Sequence, residues 1–228
     1  MSAPDIFNMN IKDNLDALYR EIPSSVQLVA VSKTQPVERI NEAYIAGQRS
    51  FGENKVQELT SKQKLLLGDI DWHFIGHLQT NKVKHIAPFV KMIQSVDSLK
   101  LITEIDKEAK RNNRVIDCLL EMFIASEETK YGLDLIEARA LLSSPELAAL
   151  KNIRIAGVMG MATFTSDETV VRREFKLLAE CFHKLSCEYF HNDPGFREIS
   201  MGMSGDYKIA IEEGSTIVRI GTAIFGER

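Results

Sequence analysis

Eight short apolar runs, separated by longer stretches with helical spacing, constrain this chain more than any other feature. In order they are VQLVAVS, RSFGE, WHFIG, KMIQS, VIDCLLEMFI, IRIAGVMGM, REISMG and TIVRIG. The intervening segments 37–47, 55–67, 79–86, 98–111, 133–142, 168–190 and 206–213 are amphipathic, and a further helical segment, about 5–20, precedes them all. Continuous apolar runs mark strands buried on both faces, and a period near 3.6 marks amphipathic helices, so the alternation predicts parallel strands joined by helices. Eight such units in 228 residues predict an α/β fold of the TIM (β/α)8 barrel type, at the short end of its size range, with an extra N-terminal helix. The rival is a doubly wound open sheet, which carries a glycine-rich turn after its first strand. Here that turn reads SKTQP and holds no glycine. No linker divides the chain, and HNDPG at 191–195 reads as a loop. Residues 1–228 are therefore expected to form a single barrel domain, with 1–24 a helical segment packed on it.

Charge and cysteine content exclude several function classes. The formal net charge is −4 and the basic residues are scattered, which is not the one-sided basic face of a nucleic-acid binder. Cys118, Cys181 and Cys187 are an odd number without CxxC spacing. That pattern predicts reduced thiols and a cytoplasmic setting, not a disulfide frame or a zinc site. The opening stretch MSAPDIFNMNIKDNLDAL lacks the apolar core of a signal peptide, and the longest apolar runs are too short to span a bilayer. No membrane partner is expected.

In a barrel of this type, chemistry gathers where the strands end. The first strand ends on Ser32-Lys33, and alternation puts Val29, Val31 and Lys33 on one face. If that face lines the barrel, the amine points to the mouth; otherwise Lys33 is a solvated rim charge. A desolvated lysine amine is a nucleophile toward carbonyls, and a phosphorylated aldehyde would be captured as an imine. Glycines recur at the strand ends in FGEN, FIGH, VMGMA, SMGMS and RIGTA, where a missing Cβ permits sharp turns or close approach to a ligand. MGMSGDYKIAIEEG sets Ser204, Gly205 and Asp206 at the start of a short helix, and the next strand ends in Gly221-Thr222. Two adjacent amide-rich loops after the seventh and eighth strands match the phosphate cradle common in this fold. The plain alternative is that Ser204 or Asp206 merely caps the helix. Arg219, inside the eighth strand, requires a partner because it keeps its proton. The candidates are a carboxylate such as Glu53 or Glu121, or an acceptor on the ligand.

VAVSKTQP, FGENKVQEL, WHFIGHLQTNK, SMGMSGDYKIAIEEGST and VRIGTAIFGER together resemble the pyridoxal-phosphate homeostasis proteins (the YggS/PROSC family) from Leu28 to Arg228. The resemblance implies a fold-type III barrel similar to that of alanine racemase but without its second, β-rich domain, and pyridoxal 5′-phosphate (PLP) as cofactor. It implies that Lys33 forms the internal aldimine, that Ser204, Gly221 and Thr222 bind the phosphate, and that Arg219 faces the pyridine nitrogen. Asn54 and His77 would flank the cofactor; the family often carries a lysine like Lys130 in the 126–132 loop, a candidate for touching PLP during transfer, but the safer reading of Lys130 is a solvated loop charge. Lys55 in GENK departs from the family pattern, so that position supports no functional claim.

An arginine beside the ring nitrogen leaves it unprotonated, which stabilises carbanions less well than an aspartate would. Racemisation also needs an acid or base opposite the lysine, which the alanine racemases supply as a tyrosine through the missing domain. Of the five tyrosines, Tyr207 lies nearest the Ser204 loop and is expected to pack there. The family reading is thus a monomeric protein that holds PLP reversibly in vitamin B6 homeostasis without efficient catalysis, with PLP-dependent apo-enzymes as recipients. A racemase-like enzyme is the alternative, and a Schiff-base aldolase follows from the fold alone. His73 and His77 have i, i+4 spacing, but on a strand and without a third ligand, so a structural role for His73 is expected in place of zinc.

Overall fold

The computed structural model describes residues 10–66, 68–125, 132–191 and 193–227. The chain runs α1 (Ile11–Glu21), β1 (Gln27–Val31), α2 (Val37–Ile45), β2 (Ser50–Glu53), α3 (Val56–Gln63), β3 (Asp71–Phe74), α4 (Val83–Ile86), β4 (Met92–Val96) and α5 (Leu99–Arg111). It continues through β5 (Ile116–Glu121), α6 (Leu135–Leu142), α7 (Pro145–Ala149), β6 (Ile153–Met159), α8 (Glu168–Tyr189), β7 (Glu198–Ser200), α9 (Tyr207–Glu212), β8 (Ile217–Ile220) and α10 (Thr222–Phe225). The eight strands close into a parallel barrel in sequence order, with β8 returning to β1 through the register Val29 opposite Arg219. The expected barrel is the observed one.

Strand alternation sorts side chains into two layers. On β1, Leu28 and Ala30 point out into the large apolar shell between strands and helices. Val29 points in, meeting Met92, Leu119, Ala156, Met159 and Ile217 in the barrel interior. Fully burying one such side chain contributes roughly 1.5–3 kcal/mol, and the same alternation decides which residues reach the mouth.

Local signals set the helix ends. Asn10 caps α1 by accepting from the Asp13 N–H at 3.0 Å, and α1 buries Ile11, Leu15 and Leu18. Its Asn14 side chain donates to the Ile224 carbonyl at 2.9 Å, tying the first helix to the last. Asp134 and Glu137 form a reciprocal capping box on α6. Three segments differ from expectation. The 55–67 helix ends at Gln63, and 79–86 splits into a 3-10 turn, Thr80–Lys82, followed by α4. Helix α7 was not foreseen, although Ser144 caps it and Pro145 opens it, which is a standard start signal. The 5–20 segment is described from residue 10 onward, and Lys130 lies outside the described residues.

Candidate functional site

A cavity of about 470 Å³ opens at the carboxyl ends of the strands. Six of the seven residues singled out by sequence line it: Lys33, Asn54, Ser204, Arg219, Gly221 and Thr222. The seventh, His77, is not part of the lining. It stands exposed after β3, with Nδ1 3.6 Å from Asp97 Oδ2.

Lys33 is half-buried and held through its neighbours. The Ser32 N–H donates to the Gly52 carbonyl at 3.0 Å, and its hydroxyl donates to Glu53 Oε1 at 2.6 Å. The Thr34 N–H donates to Glu58 Oε1 at 2.5 Å, with Thr34 in the left-handed region at φ 65°. Lys62, itself buried, joins these anchors by donating to Ser32 O, Glu53 Oε1 and Glu58 Oε1 at 2.7, 2.7 and 2.6 Å. Burial pushes the Glu53 carboxyl up, opposed by the bonds from Lys62 and Ser32. The residues on both sides of Lys33 are thus tied to one buried charge cluster, leaving its side chain for the cavity. A single sequence gave no sign of this cluster, because Lys62 reads as one more polar residue on an amphipathic helix.

Glu53 is therefore not the partner of Arg219. Phe51, two residues earlier on the same face of β2, packs in the outer shell, and Glu53 follows it outward to Lys62. Arg219 is buried and donates from Nη1 to Ser200 Oγ at 2.6 Å and from Nη2 to the Gly160 carbonyl at 3.0 Å. Burial lowers its pKa to about 10, opposed by the charges of Asp206 and Glu121, so it remains a cation at neutral pH. Glu121 acts on it only through space. Its own Oε2 is buried without a hydrogen-bond partner, and burial, aided by the Asp97 charge and opposed by Arg219, raises it to about 7.

The loops after β7 and β8 meet at Ser204. Its hydroxyl accepts from the Gly221 and Ala223 N–H groups, each at 3.3 Å, at the start of α10. Ser204 is thus not a cap of α9. Asp206 precedes α9 but turns its carboxylate back to the Met203 N–H at 2.5 Å. The five strand-end glycines serve different ends. Gly202 has φ 95°, a conformation that favours glycine. At Gly76 a Cβ would fall 2.5 Å from the Asn54 carbonyl oxygen, so this glycine lets the third strand end pack on the second. Of the five, only Gly76 and Gly221 line the cavity.

His73 has the structural place expected of it. It is buried in β3, and burial holds its imidazole down to about 4. Among the described residues no group of three His, Cys, Asp or Glu could hold a metal ion. Tyr207 packs against the first helix, donating to Glu21 Oε2 at 2.6 Å. The cysteines form no disulfide, and no helix among the described residues is long and apolar enough to cross a membrane.

Fold and site together define a lysine-bearing β/α barrel whose mouth pairs a buried guanidinium with a cradle of backbone donors around a serine hydroxyl. Comparison with known proteins makes this specific. The model of the alanine racemase N-terminal domain matches residues 8–228. A pyridoxal phosphate homeostasis protein of Aquifex aeolicus is 42% identical over 203 residues, which is 89% of this chain and 87% of that protein. The structure of PipY from Synechococcus elongatus, with PLP bound, superposes with a TM-score of 0.87 at 37% identity, covering 95% of this chain and all of that one. The alanine racemase of Clostridium difficile shares the fold, with a TM-score of 0.73 at 14% identity over 96% of this chain and 57% of its own. This chain belongs to the pyridoxal phosphate homeostasis protein family, built on the alanine racemase N-terminal barrel.

Proposed function

We propose that this chain holds pyridoxal 5′-phosphate reversibly at the barrel mouth, as a carrier in vitamin B6 homeostasis that hands the cofactor to PLP-dependent apo-enzymes. The observation that carries this reading is the single cavity in which Lys33, Arg219 and the Ser204–Gly221–Thr222 cradle converge. These residues fit the group. The N–H donors gathered at Ser204 suit an anionic oxygen, and the buried, charged Arg219 suits a ring acceptor. The cofactor supplies an aldehyde that a primary amine takes up reversibly. Lys33 provides that amine, Ser204, Gly221 and Thr222 hold the phosphate end, Arg219 faces the ring nitrogen, and Asn54 walls the site beside Gly76.

Two features favour holding over turnover. Arg219 can donate to a ring nitrogen but gives up no proton at neutral pH, so the ring remains a modest electron sink. Among the described residues no tyrosine lines the cavity. Tyr19, Tyr44, Tyr189 and Tyr207 bond instead to Gln48, Asp69, Ser143 and Glu21. The expected result is a yellow protein in which borohydride fixes a pyridoxyl group on Lys33, with Lys33→Ala colourless. Retention of the same absorbance in Lys33→Ala overturns the assignment. Lys33-dependent proton exchange at Cα of alanine, at useful turnover, overturns the carrier reading in favour of a racemase.

A further inference from the structure

A polar chain crosses the barrel interior beneath the cavity. Arg219 on β8 donates to Ser200 Oγ on β7 at 2.6 Å, and Ser200 donates to Gln94 Oε1 on β4 at 2.7 Å. The Gln94 amide nitrogen lies 2.9 Å from His73 Nδ1 on β3. The four residues are 0–4% exposed, so water does not substitute for these bonds. The apolar interior cluster adjoins them in register, with Ser200 opposite Ile217 and His73 opposite Met92. Buried polar groups in such a place cost stability unless every one is satisfied.

With the Gln94 amide oxygen facing Ser200, the chain runs in one direction. A guanidinium only donates, so Ser200 accepts from Arg219 and its single proton goes on to Gln94 Oε1. That fixes the Gln94 amide with its NH2 toward His73. An amide nitrogen also only donates, so Nδ1 must be the acceptor and the ring must be the neutral Nε2–H tautomer. Burial and the nearby Lys91 charge both disfavour a second proton on that ring.

We propose that Ser200, Gln94 and neutral His73 are positioning residues that brace the Arg219 guanidinium from the opposite wall of the barrel, so that it meets the ligand ring in one orientation. This rests on the PLP-holding reading above. The brace makes Arg219 a fixed donor whose charge disfavours an added proton on the nearby chromophore. Loosening it should therefore weaken ligand retention and raise the pH at which the chromophore titrates.

Two measurements test it on the full chain. In the ligand-free protein, ¹⁵N-histidine NMR should show His73 as the Nε2–H tautomer with no titration from pH 8 to pH 5. An Nδ1–H tautomer, or a midpoint above pH 6, overturns the direction assigned to the chain. With PLP bound, Ser200→Ala removes a hydrogen bond to a charged group and should lower affinity about tenfold, whereas Gln94→Leu removes neutral bonds and should lower it about fivefold. Each should also move the chromophore midpoint up by about half a pH unit. Gln94→Glu keeps an acceptor for Ser200 and should hold affinity within about twofold, while bringing the proton to His73 Nδ1. A merely space-filling Gln94 would not separate these readouts. Wild-type protein without an imine band sinks the PLP-holding reading itself. A wild-type band together with unchanged affinity and midpoint in both Gln94→Leu and Ser200→Ala sinks the brace alone.

Discussion

Replacing Glu121 by glutamine should change how stability depends on pH, in a way set by two buried groups of opposite sign. The Glu121 carboxyl is raised from its ordinary 4.5 to about 7, chiefly by burial. Its contribution to stability is fully present below pH 4.5 and is lost as pH rises through 7. His73 is lowered from 6.5 to about 4, also by burial. Its contribution is fully present above pH 6.5 and is lost as pH falls through 4. Each group alone contributes a slope of about 1.4 kcal/mol per pH unit. Between pH 4.5 and 6.5 the slopes oppose, so together these two groups leave wild-type stability nearly flat. Glu121→Gln removes one of them. Stability of the variant relative to wild type should then grow by about 3 kcal/mol from pH 4 to pH 8. The variant alone should lose about 3 kcal/mol on acidification from pH 6.5 to 4.5. Urea unfolding of the ligand-free protein followed by circular dichroism at four pH values reads both quantities, provided the m-values agree. A difference that stays within about 1 kcal/mol across the range refutes the assignment of an uncompensated carboxyl to the end of β5.

Two further perturbations probe the anchor of Lys33 and the loops proposed to hold the phosphate. Lys62→Met leaves Glu53 buried without its cation and should cost roughly 3–5 kcal/mol, whereas Lys62→Met with Glu53→Gln should recover about half of that; urea unfolding of both variants at pH 7 decides. Ser204→Ala removes the acceptor for the Gly221 and Ala223 N–H groups and should weaken PLP binding about tenfold. Binding of pyridoxal, which lacks the phosphate, should change little, and absorbance titrations with the two compounds give the ratio.

What could be read from the sequence and what could not divide along a physical line. Period and apolarity belong to one segment at a time, so the number of strands and their alternation with helices were legible, whereas closure, a pairing of the last strand with the first, was favoured by the regular alternation and proved by no local pattern. So was the mouth, because a strand that ends on Lys33 or encloses Arg219 announces a charge that needs a reason. Partner choice is a relation between segments distant in sequence, and no local pattern carries it. Glu53 was a reasonable partner for Arg219 until alternation on β2 turned it outward to Lys62. His77 follows a strand end, as the other site residues except Arg219 do, yet it stands outside the cavity beside Asp97. The cross-barrel chain did leave a trace. His73 in WHFIG, Gln94 in KMIQS and Ser200 in REISMG are polar residues inside otherwise apolar runs, each on the inward phase. A buried polar residue on an inward phase of one strand predicts a counterpart on another, and three such residues predict a network. Pairing them required knowing that β7 and β4 face each other across the interior, and that knowledge comes only with the closed barrel.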